Sequence, residues 1–179
     1  MKLVILDRDG VINEDSDNYI KSPEEWNPIP GSPEAIAKLY RSGFTVAVAT
    51  NQSGIGRGYF DISVLNAMHE KMHKIVNLAG GHIAGVFFCP HTPSDNCSCR
   101  KPRAGLLHQI SDRFAINLEK VPFIGDTISD LECAQSVAAT PVLVRTGKGK
   151  ITESKLEADH TIAVFDNLST AVDYLIENE

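Results

Sequence analysis

The chain has 179 residues, a length that predicts one domain over residues 1–179. Hydrophobic residues make up 42% of it and charged residues 22%, and no apolar run is long enough to span a bilayer, so intrinsic disorder and membrane insertion are excluded. The formal net charge is −6 and the basic residues are scattered, which excludes a nucleic-acid partner and leaves local groups to hold any anionic ligand.

Short apolar, β-branched runs alternate along the chain with segments of helical spacing. The first run, residues 3–6, is too short before Asp7 to be a signal peptide, so we expect a cytoplasmic protein. The alternation predicts an α/β fold with a doubly wound, mostly parallel sheet and no large cap domain. Strands are predicted over residues 3–6, 44–49, 85–88, 121–124, 142–144 and 161–164. Helices are predicted to start at an N-cap Ser32 before Pro33 and near Asp61, and to cover residues 105–116, 129–138 and 167–177.

Three irregular stretches follow the ends of predicted strands, at residues 13–30, 51–60 and 90–103. Loops at these ends line the ligand crevice of a parallel sheet, so we expect them to form a functional site. Residues 54–58 are rich in glycine but lack the spacing of a dinucleotide-binding motif, and they predict a flexible loop with Arg57 exposed. Residues 147–150 predict a solvated turn.

Two pairs of aspartates follow predicted strands. Asp7 and Asp9 come directly after the first strand, and Asp126 and Asp130 follow the fourth. Parallel strands bring their carboxyl ends to one edge of a sheet, where carboxylates this close repel one another unless a cation lies between them. Carboxylate oxygens are ligands that Mg²⁺ prefers, so the sequence predicts a magnesium site.

Two further strand ends supply groups that bind phosphate. Residues 50–54, which begin with Thr50, offer hydroxyl, amide and backbone N–H donors. After the third strand, Lys101 can neutralise a phosphate as a point charge and Arg100 can grip a second anion in a bidentate manner. These residues predict a phosphoryl site beside the cation.

A cluster of sulfur and imidazole ligands lies in the third loop. Cys89 and His91 form one pair and Cys97 and Cys99 another, which is a tetrahedral Zn²⁺ set. The alternative is a disulfide between Cys89 and Cys97. We favour a structural zinc ion that clamps the loop carrying residues 100–101.

Taken together, these motifs resemble the haloacid dehalogenase (HAD) superfamily of phosphohydrolases in order, residue type and spacing, from residue 3 to about residue 145. The resemblance implies that Asp7 is a nucleophile that becomes an aspartyl phosphate. It implies that Asp9 is the general acid for the leaving oxygen and then the base for water. The other implied roles are Mg²⁺ binding by the carboxylates of Asp7 and Asp126 and the backbone carbonyl of Asp9, phosphoryl binding by Thr50 and Lys101, and support of the metal by Asp130.

The zinc loop narrows the resemblance to the D-glycero-D-manno-heptose 1,7-bisphosphate 7-phosphatase group. The implied reaction releases the 7-phosphate, a step toward nucleotide-activated heptose for lipopolysaccharide. Some members of the group have Lys where this chain has Thr127, so a contact there is not carried over. The residues implied to contact the sugar or its distal phosphate are Asp15, Tyr19, Asn51, Gln52, Ser53 and Arg100.

Two alternatives stay open at this point. Histidinol-phosphatases share the zinc loop, but Arg100 and Arg57 favour a second phosphate over a cationic amine. A phospho-accepting receiver domain is a non-enzyme alternative, although it needs neither a general acid at Asp9 nor a zinc clamp. We therefore expect a small-molecule sugar bisphosphate as the partner and, from the compact size, a monomer.

Overall fold

The computed structural model describes residues 1–178, which form one six-stranded sheet flanked by helices. The strands are β1 (Lys2–Leu6), β2 (Phe44–Asn51), β3 (Gly85–Cys89), β4 (Pro122–Gly125), β5 (Thr140–Val144) and β6 (Ala163–Phe165). The helices are α1 (Ser32–Arg41), α2 (Ser53–Gly56), α3 (Ile62–Leu78), α4 (Gly105–Phe114), α5 (Ile128–Ser136), α6 (Gly149–Glu153) and α7 (Leu168–Glu177), with a 3-10 turn at Pro93–Asp95.

The strand order is β3-β2-β1-β4-β5-β6, and each neighbouring pair is parallel. The predicted doubly wound α/β sheet is therefore confirmed. The order reverses between β1 and β4, which is where ligands bind in such sheets. Because Leu6 pairs with Val48 of β2 and with Ile124 of β4, the residues that follow these three positions leave the sheet at the same edge.

Alternating residues of β1 feed two separate cores. Val4 and Leu6 pack on one face against α1, α3 and α7, whereas Leu3 and Ile5 pack on the other face against α4 and α5. A strand buried on both faces has no polar side, which explains why β1 is a continuous apolar run. Burial on both faces therefore explains why the apolar run continues to the end of β1 and polar residues begin only after Leu6.

The helix starts show one departure from prediction. The predicted N-cap Ser32 is instead the first residue of α1, and Gly31, with φ of 86°, precedes the helix. The Ser32 hydroxyl donates to the Val11 carbonyl, 2.9 Å away, so it ties α1 to the loop after β1 and is not available as a cap. Asp61 does cap α3 as expected, since its side chain accepts from the Val64 amide.

Two segments predicted as simple loops are more ordered than expected. The stretch predicted as a flexible loop, residues 54–58, begins inside the short helix α2, although Arg57 is exposed as expected. Residues 147–150 run into α6, and Gly149 is buried. None of the helices in residues 1–178 combines the length and the apolar character needed to cross a bilayer.

Candidate active site

A cavity of about 300 Å³ opens at the carboxyl edge of the sheet. Side chains from the ends of β1, β2 and β4 form its floor, and the loops after β1 and β3 form its walls. All the catalytic, phosphate-binding and substrate-contact residues predicted from the sequence line it, namely Asp7, Asp9, Asp15, Tyr19, Thr50, Asn51, Gln52, Ser53, Arg100, Lys101, Asp126 and Asp130. The strand topology therefore brings together residues from four separate motifs.

Three carboxylates meet on the cavity floor. One oxygen each from Asp7, Asp126 and Asp130 lies within 4.8 Å of the others. Burial, and then the charge of Asp130, raise the pKa of Asp7 to about 7, while burial and the charge of Asp7 raise the pKa of Asp126 to about 9. Asp126 Oδ1 is buried and has no hydrogen-bond partner within residues 1–178. Crowded carboxylates with an unpaired buried oxygen fit a hard divalent cation.

Lys101 is the cation that this structure itself places among the carboxylates. Its buried Nζ lies 2.8 Å from Asp7 Oδ1 and 2.7 Å from Asp130 Oδ1, and it donates to the Ala49 carbonyl at 2.7 Å. Burial opposes its charge, but the charges of Asp130 and Asp7 outweigh burial and hold the pKa of Lys101 above its ordinary value. Lys101 is therefore ionised at neutral pH.

Asn51 fixes the main chain of Lys101. The Asn51 Nδ2 donates to the Lys101 carbonyl at 3.1 Å, and the Lys101 amide donates to Asn51 Oδ1 at 3.0 Å. These two bonds tie the end of β2 to the loop after β3. Asn51 was predicted to contact the sugar, but its side-chain amide already forms two hydrogen bonds with the main chain of Lys101.

Asp130 holds the start of α5 as well as Lys101. Its Oδ2 accepts from the amides of Asp126 and Thr127, at 3.2 and 3.1 Å, and from the Thr127 hydroxyl at 2.8 Å. Thr127 is the N-cap of α5. Asp130 thus fixes the backbone on which Asp126 stands, which is a supporting position beside the carboxylate cluster.

Asp9 has a different environment from Asp7. Its Oδ1 accepts from Arg8, at 3.1 Å from Nε and 2.8 Å from Nη2, and from Asn13 Nδ2 at 2.8 Å. Its Oδ2 accepts from Gln52 Nε2 at 2.8 Å. Burial alone would raise the pKa of Asp9, but Arg8, Asn13 and Gln52 together lower it below its ordinary value. Asp9 is therefore ionised in the free protein.

Arg8 and Asn13 were not among the site residues predicted from the sequence. Both are fully buried, although Arg and Asn are mostly exposed in proteins. For Arg8 the available signal was its position between Asp7 and Asp9, because a buried arginine needs an anionic partner close by. The sequence does not say which aspartate that partner is.

The turn at residues 147–150 packs on Asp126. The Lys148 amide donates to Asp126 Oδ2 at 2.8 Å, and a Cβ on Gly147, whose φ is 56°, would lie 2.2 Å from the same oxygen. Gly10, with φ of 83°, is equally close on the other side, since its Cβ would also lie 2.2 Å from Asp126 Oδ2. The turn predicted as merely solvated therefore helps to enclose the carboxylate cluster.

Cations surround the cavity mouth. The Arg57 guanidinium lies over the Tyr19 ring, 5.7 Å from its centroid. Lys148 Nζ lies 3.7 Å from a carboxylate oxygen of Asp15 and 3.7 Å from one of Asp17, and Arg100 is half-buried. All of these side chains line the cavity. The floor therefore suits one phosphoryl group, and the mouth offers positive charge to a second anion.

The predicted zinc ligands converge in the loop after β3. One ligand atom each from Cys89, His91, Cys97 and Cys99 lies within 4.8 Å of the others. All the cysteines are free and the sulfurs of Cys89 and Cys97 are 3.6 Å apart, so the alternative of a disulfide is wrong. Burial, and then the hydrogen bond with Cys99, raise the pKa of Cys89 to about 12, so this thiol keeps its proton unless a cation displaces it.

Comparison with known proteins identifies the family. Residues 98–171 match the model of HAD-hydrolase-like proteins. The D-glycero-beta-D-manno-heptose-1,7-bisphosphate 7-phosphatase of Pseudomonas aeruginosa is 51% identical over 98% of both chains, and that of Neisseria meningitidis serogroup A is 50% identical over 99% of this chain and 96% of the other. The crystal structure of D,D-heptose 1,7-bisphosphate phosphatase from B. bronchiseptica, complexed with magnesium and phosphate, superposes with a TM-score of 0.97 and 44% identity over the whole of both chains. With this similarity over its full length, the chain belongs to the D-glycero-beta-D-manno-heptose-1,7-bisphosphate 7-phosphatase family of HAD-like hydrolases.

Proposed function

We propose that this protein is a phosphatase that hydrolyses the 7-phosphate of D-glycero-D-manno-heptose 1,7-bisphosphate through an aspartyl phosphate on Asp7. The observation that carries the proposal is the convergence of Asp7, Lys101 and the unpaired Asp126 oxygen on the floor of one cavity. Relatives of the same length carry this activity in their names, with the beta anomer of the substrate. We therefore expect the beta anomer to be preferred.

The carboxylates of Asp7 and Asp126 and the backbone carbonyl of Asp9 would hold Mg²⁺, with Asp130 in support. The fit rests on the buried, unpaired oxygen of Asp126 and on the raised pKa of both Asp7 and Asp126. When bound, Mg²⁺ would screen the phosphoryl charge that otherwise repels an anionic nucleophile. The crystal structure of the relative from B. bronchiseptica is complexed with magnesium and phosphate, which supports a magnesium site in this protein.

Hydrogen bonds hold the Asp7 carboxylate in position. The Arg8 amide and Lys101 Nζ both donate to Asp7 Oδ1, each at 2.8 Å. In the first half-reaction the bond from an Asp7 carboxylate oxygen to phosphorus forms while the bond from phosphorus to the sugar oxygen breaks. Lys101 and Thr50 bind the phosphoryl oxygens through this transfer.

Asp9 moves the protons. Its Oδ1 is held by Arg8 and Asn13, and its Oδ2, which accepts one hydrogen bond from Gln52, would carry the proton to the departing sugar oxygen. Because Asp9 is ionised in the free protein, its carboxylate has to take up a proton before it can act as the general acid. In the second half-reaction Asp9 takes a proton from water, which attacks phosphorus and regenerates the Asp7 carboxylate.

The cavity mouth would hold the phosphate that does not react. Arg100, Arg57 and Lys148 line it, and because Lys148 is paired with Asp15 and Asp17, Arg100 and Arg57 are the cations that would bind a second anion. We expect Asp15, Tyr19 and Ser53, which line the cavity, to contact the sugar. This charge favours the bisphosphate over histidinol phosphate.

We also propose that Cys89, His91, Cys97 and Cys99 hold one structural Zn²⁺. With four protein ligands such a site keeps no open position for catalysis, and its role would be to fix the loop that presents Arg100 and Lys101. The free thiols suit a reducing compartment, and we propose a monomer that acts in the cytoplasm.

The test is phosphate release from a panel of substrates with Mg²⁺ present. The panel contains heptose 1,7-bisphosphate in both anomers, fructose 1,6-bisphosphate and histidinol phosphate. We expect the beta heptose bisphosphate to have the highest kcat/KM, with ³¹P NMR showing a product that keeps its 1-phosphate. Preference for histidinol phosphate, or loss of the 1-phosphate, would overturn the proposed substrate.

A further inference from the structure

Arg8 lies between the two aspartates of the first motif, yet its side chain is fully buried behind them. A guanidinium carries five N–H donors and no acceptor. Two of its nitrogens, Nε and Nη2, donate to Asp9 Oδ1. The third, Nη1, lies 3.2 Å from Nε2 of His69, a buried residue in the middle of α3.

This contact settles which form of the imidazole is present. Because Arg8 can only donate, His69 Nε2 has to accept, so the ring is neutral and carries its proton on Nδ1. Burial, and then the charge of Arg8, hold the pKa of His69 at about 3, which agrees with a neutral ring at physiological pH. His69 therefore accepts a hydrogen bond from Arg8 but carries no negative charge. The positive charge of Arg8 then interacts with the Asp9 carboxylate.

The His69 ring is itself held in place. Its edge packs against Phe88 of β3, with ring centroids 6.5 Å apart, and its backbone lies within a helix of 17 residues. Without the imidazole, Nη1 of Arg8 would be a buried, charged donor with no partner there, which is a costly state that the side chain can leave by turning. A turn of the planar guanidinium would move both hydrogen bonds to Asp9 Oδ1.

We propose that His69 is a positioning residue, which orients Arg8 so that Arg8 holds Asp9 Oδ1 and leaves Asp9 Oδ2 directed at the leaving oxygen of the ester. The inference rests on the proposed role of Asp9 as proton donor. The effect of His69 should therefore depend on whether the leaving group needs a proton. A sugar alkoxide needs one, and p-nitrophenolate does not.

The experiment measures kcat/KM for heptose bisphosphate and for p-nitrophenyl phosphate. For each substrate, kcat/KM depends on the steps from binding up to the departure of the leaving group. His69→Leu removes the acceptor, and His69→Gln keeps one in its amide carbonyl. His73→Leu, one turn along α3, is the matched control. We expect His69→Leu to lower kcat/KM for the bisphosphate at least ~10-fold and for p-nitrophenyl phosphate less than ~3-fold. His69→Gln should restore most of the loss, and His73→Leu should leave both values unchanged.

Equal losses on both substrates, no loss on either, or failure of His69→Gln to rescue would overturn the proposal. If the wild-type protein prefers histidinol phosphate, the proposed substrate fails, and the same comparison is then made with that alkyl ester. A second measurement does not depend on the variants folding. The ¹⁵N NMR spectrum of the wild-type ring should show His69 protonated at Nδ1, and a proton at Nε2 would contradict the contact with Arg8.

Discussion

At the scale of single residues, Asp7 and Asp9 stand on one loop and have opposite pKa shifts. Burial, and then the charge of Asp130, raise the pKa of Asp7 to about 7. Asp9 is surrounded by Arg8, Asn13 and Gln52, which lower its pKa despite burial. Burial raises the pKa of both carboxyl groups, so the difference between them comes from their hydrogen-bond and charge partners. These partners suit Asp7 to the role of nucleophile and Asp9 to the role of proton carrier.

Arg100 is expected to bind the phosphate that does not react. Arg100→Ala should raise KM for heptose 1,7-bisphosphate much more than KM for a heptose monophosphate, because only the bisphosphate loses a charge-assisted contact. The loss is expected to be about 1.5 to 3 kcal/mol. Arg113→Ala, on α4 outside the cavity, is the control. Equal losses on both substrates would place Arg100 on the transferred phosphate instead.

His69 should also make stability depend on pH. Its pKa falls from 6.5 to about 3 in the folded protein. Below pH 6.5 His69 is therefore protonated in the unfolded chain but not in the folded one, and the free energy of unfolding decreases as the pH falls. Burial and Arg8 lower this pKa, as does His73, whereas Asp9 opposes them. Between pH 8 and pH 5 the free energy of unfolding of the wild type should fall by about 2 kcal/mol more than that of His69→Gln, measured by urea denaturation. Parallel pH curves for the two proteins would show that His69 is not buried neutral.

At the scale of elements, the loop from β3 to α4 carries Lys101 into the cavity with little regular structure of its own. The predicted zinc cluster closes this loop, and Asn51 ties its far end to β2. A loop held at two points can keep the Lys101 ammonium between Asp7 and Asp130. Loss of either point should therefore affect turnover as well as stability.

Cys97→Ser tests the first of these points. It replaces a direct ligand, so we expect zinc affinity to fall by more than ~10²-fold and both Tm and kcat to fall with it. Cys133→Ala, a buried cysteine outside the cluster, should keep zinc and activity. Elemental analysis of wild-type protein should give one zinc per chain. Wild-type protein that contains no zinc, or a Cys97→Ser protein with unchanged Tm and kcat, would contradict a structural role for zinc in this loop.

The sequence was most informative where one element decides the outcome. The apolar runs located the six strands, and the topology of parallel sheets then placed Asp7, Thr50 and Asp126 at one edge. It was least informative for contacts between distant elements. Nothing local links Arg8 to His69, 61 positions away, or shows that Asn51 binds the backbone of Lys101. Such hydrogen bonds depend on how α3 and the zinc loop pack, which local spacing does not specify.

At the scale of the whole molecule, the fold delivers three charge environments to one cavity. The carboxylates come from β1 and β4, and Lys101 enters from the loop after β3. The cations of the mouth, Arg57, Arg100 and Lys148, come from three separate segments of the chain. The carboxylates stand at the ends of buried strands, and Lys101 stands on a loop that Asn51 ties to β2. The site is therefore preorganised before the substrate binds. The central chemical claim is that this prearranged site transfers the phosphoryl group to Asp7 itself.

The most direct test of that claim is to trap the intermediate with p-nitrophenyl phosphate in the Asp9→Asn protein. This variant lacks the proton donor and the base for water, each of which contributes about 10² to 10⁴-fold, but p-nitrophenolate leaves without a proton. Acid quench and peptide mass spectrometry should therefore find the phosphoryl group accumulated on Asp7, and the Asp7→Asn protein should show neither phosphorylation nor turnover. A phosphoryl group on any other residue, or turnover by Asp7→Asn, would contradict covalent catalysis by Asp7.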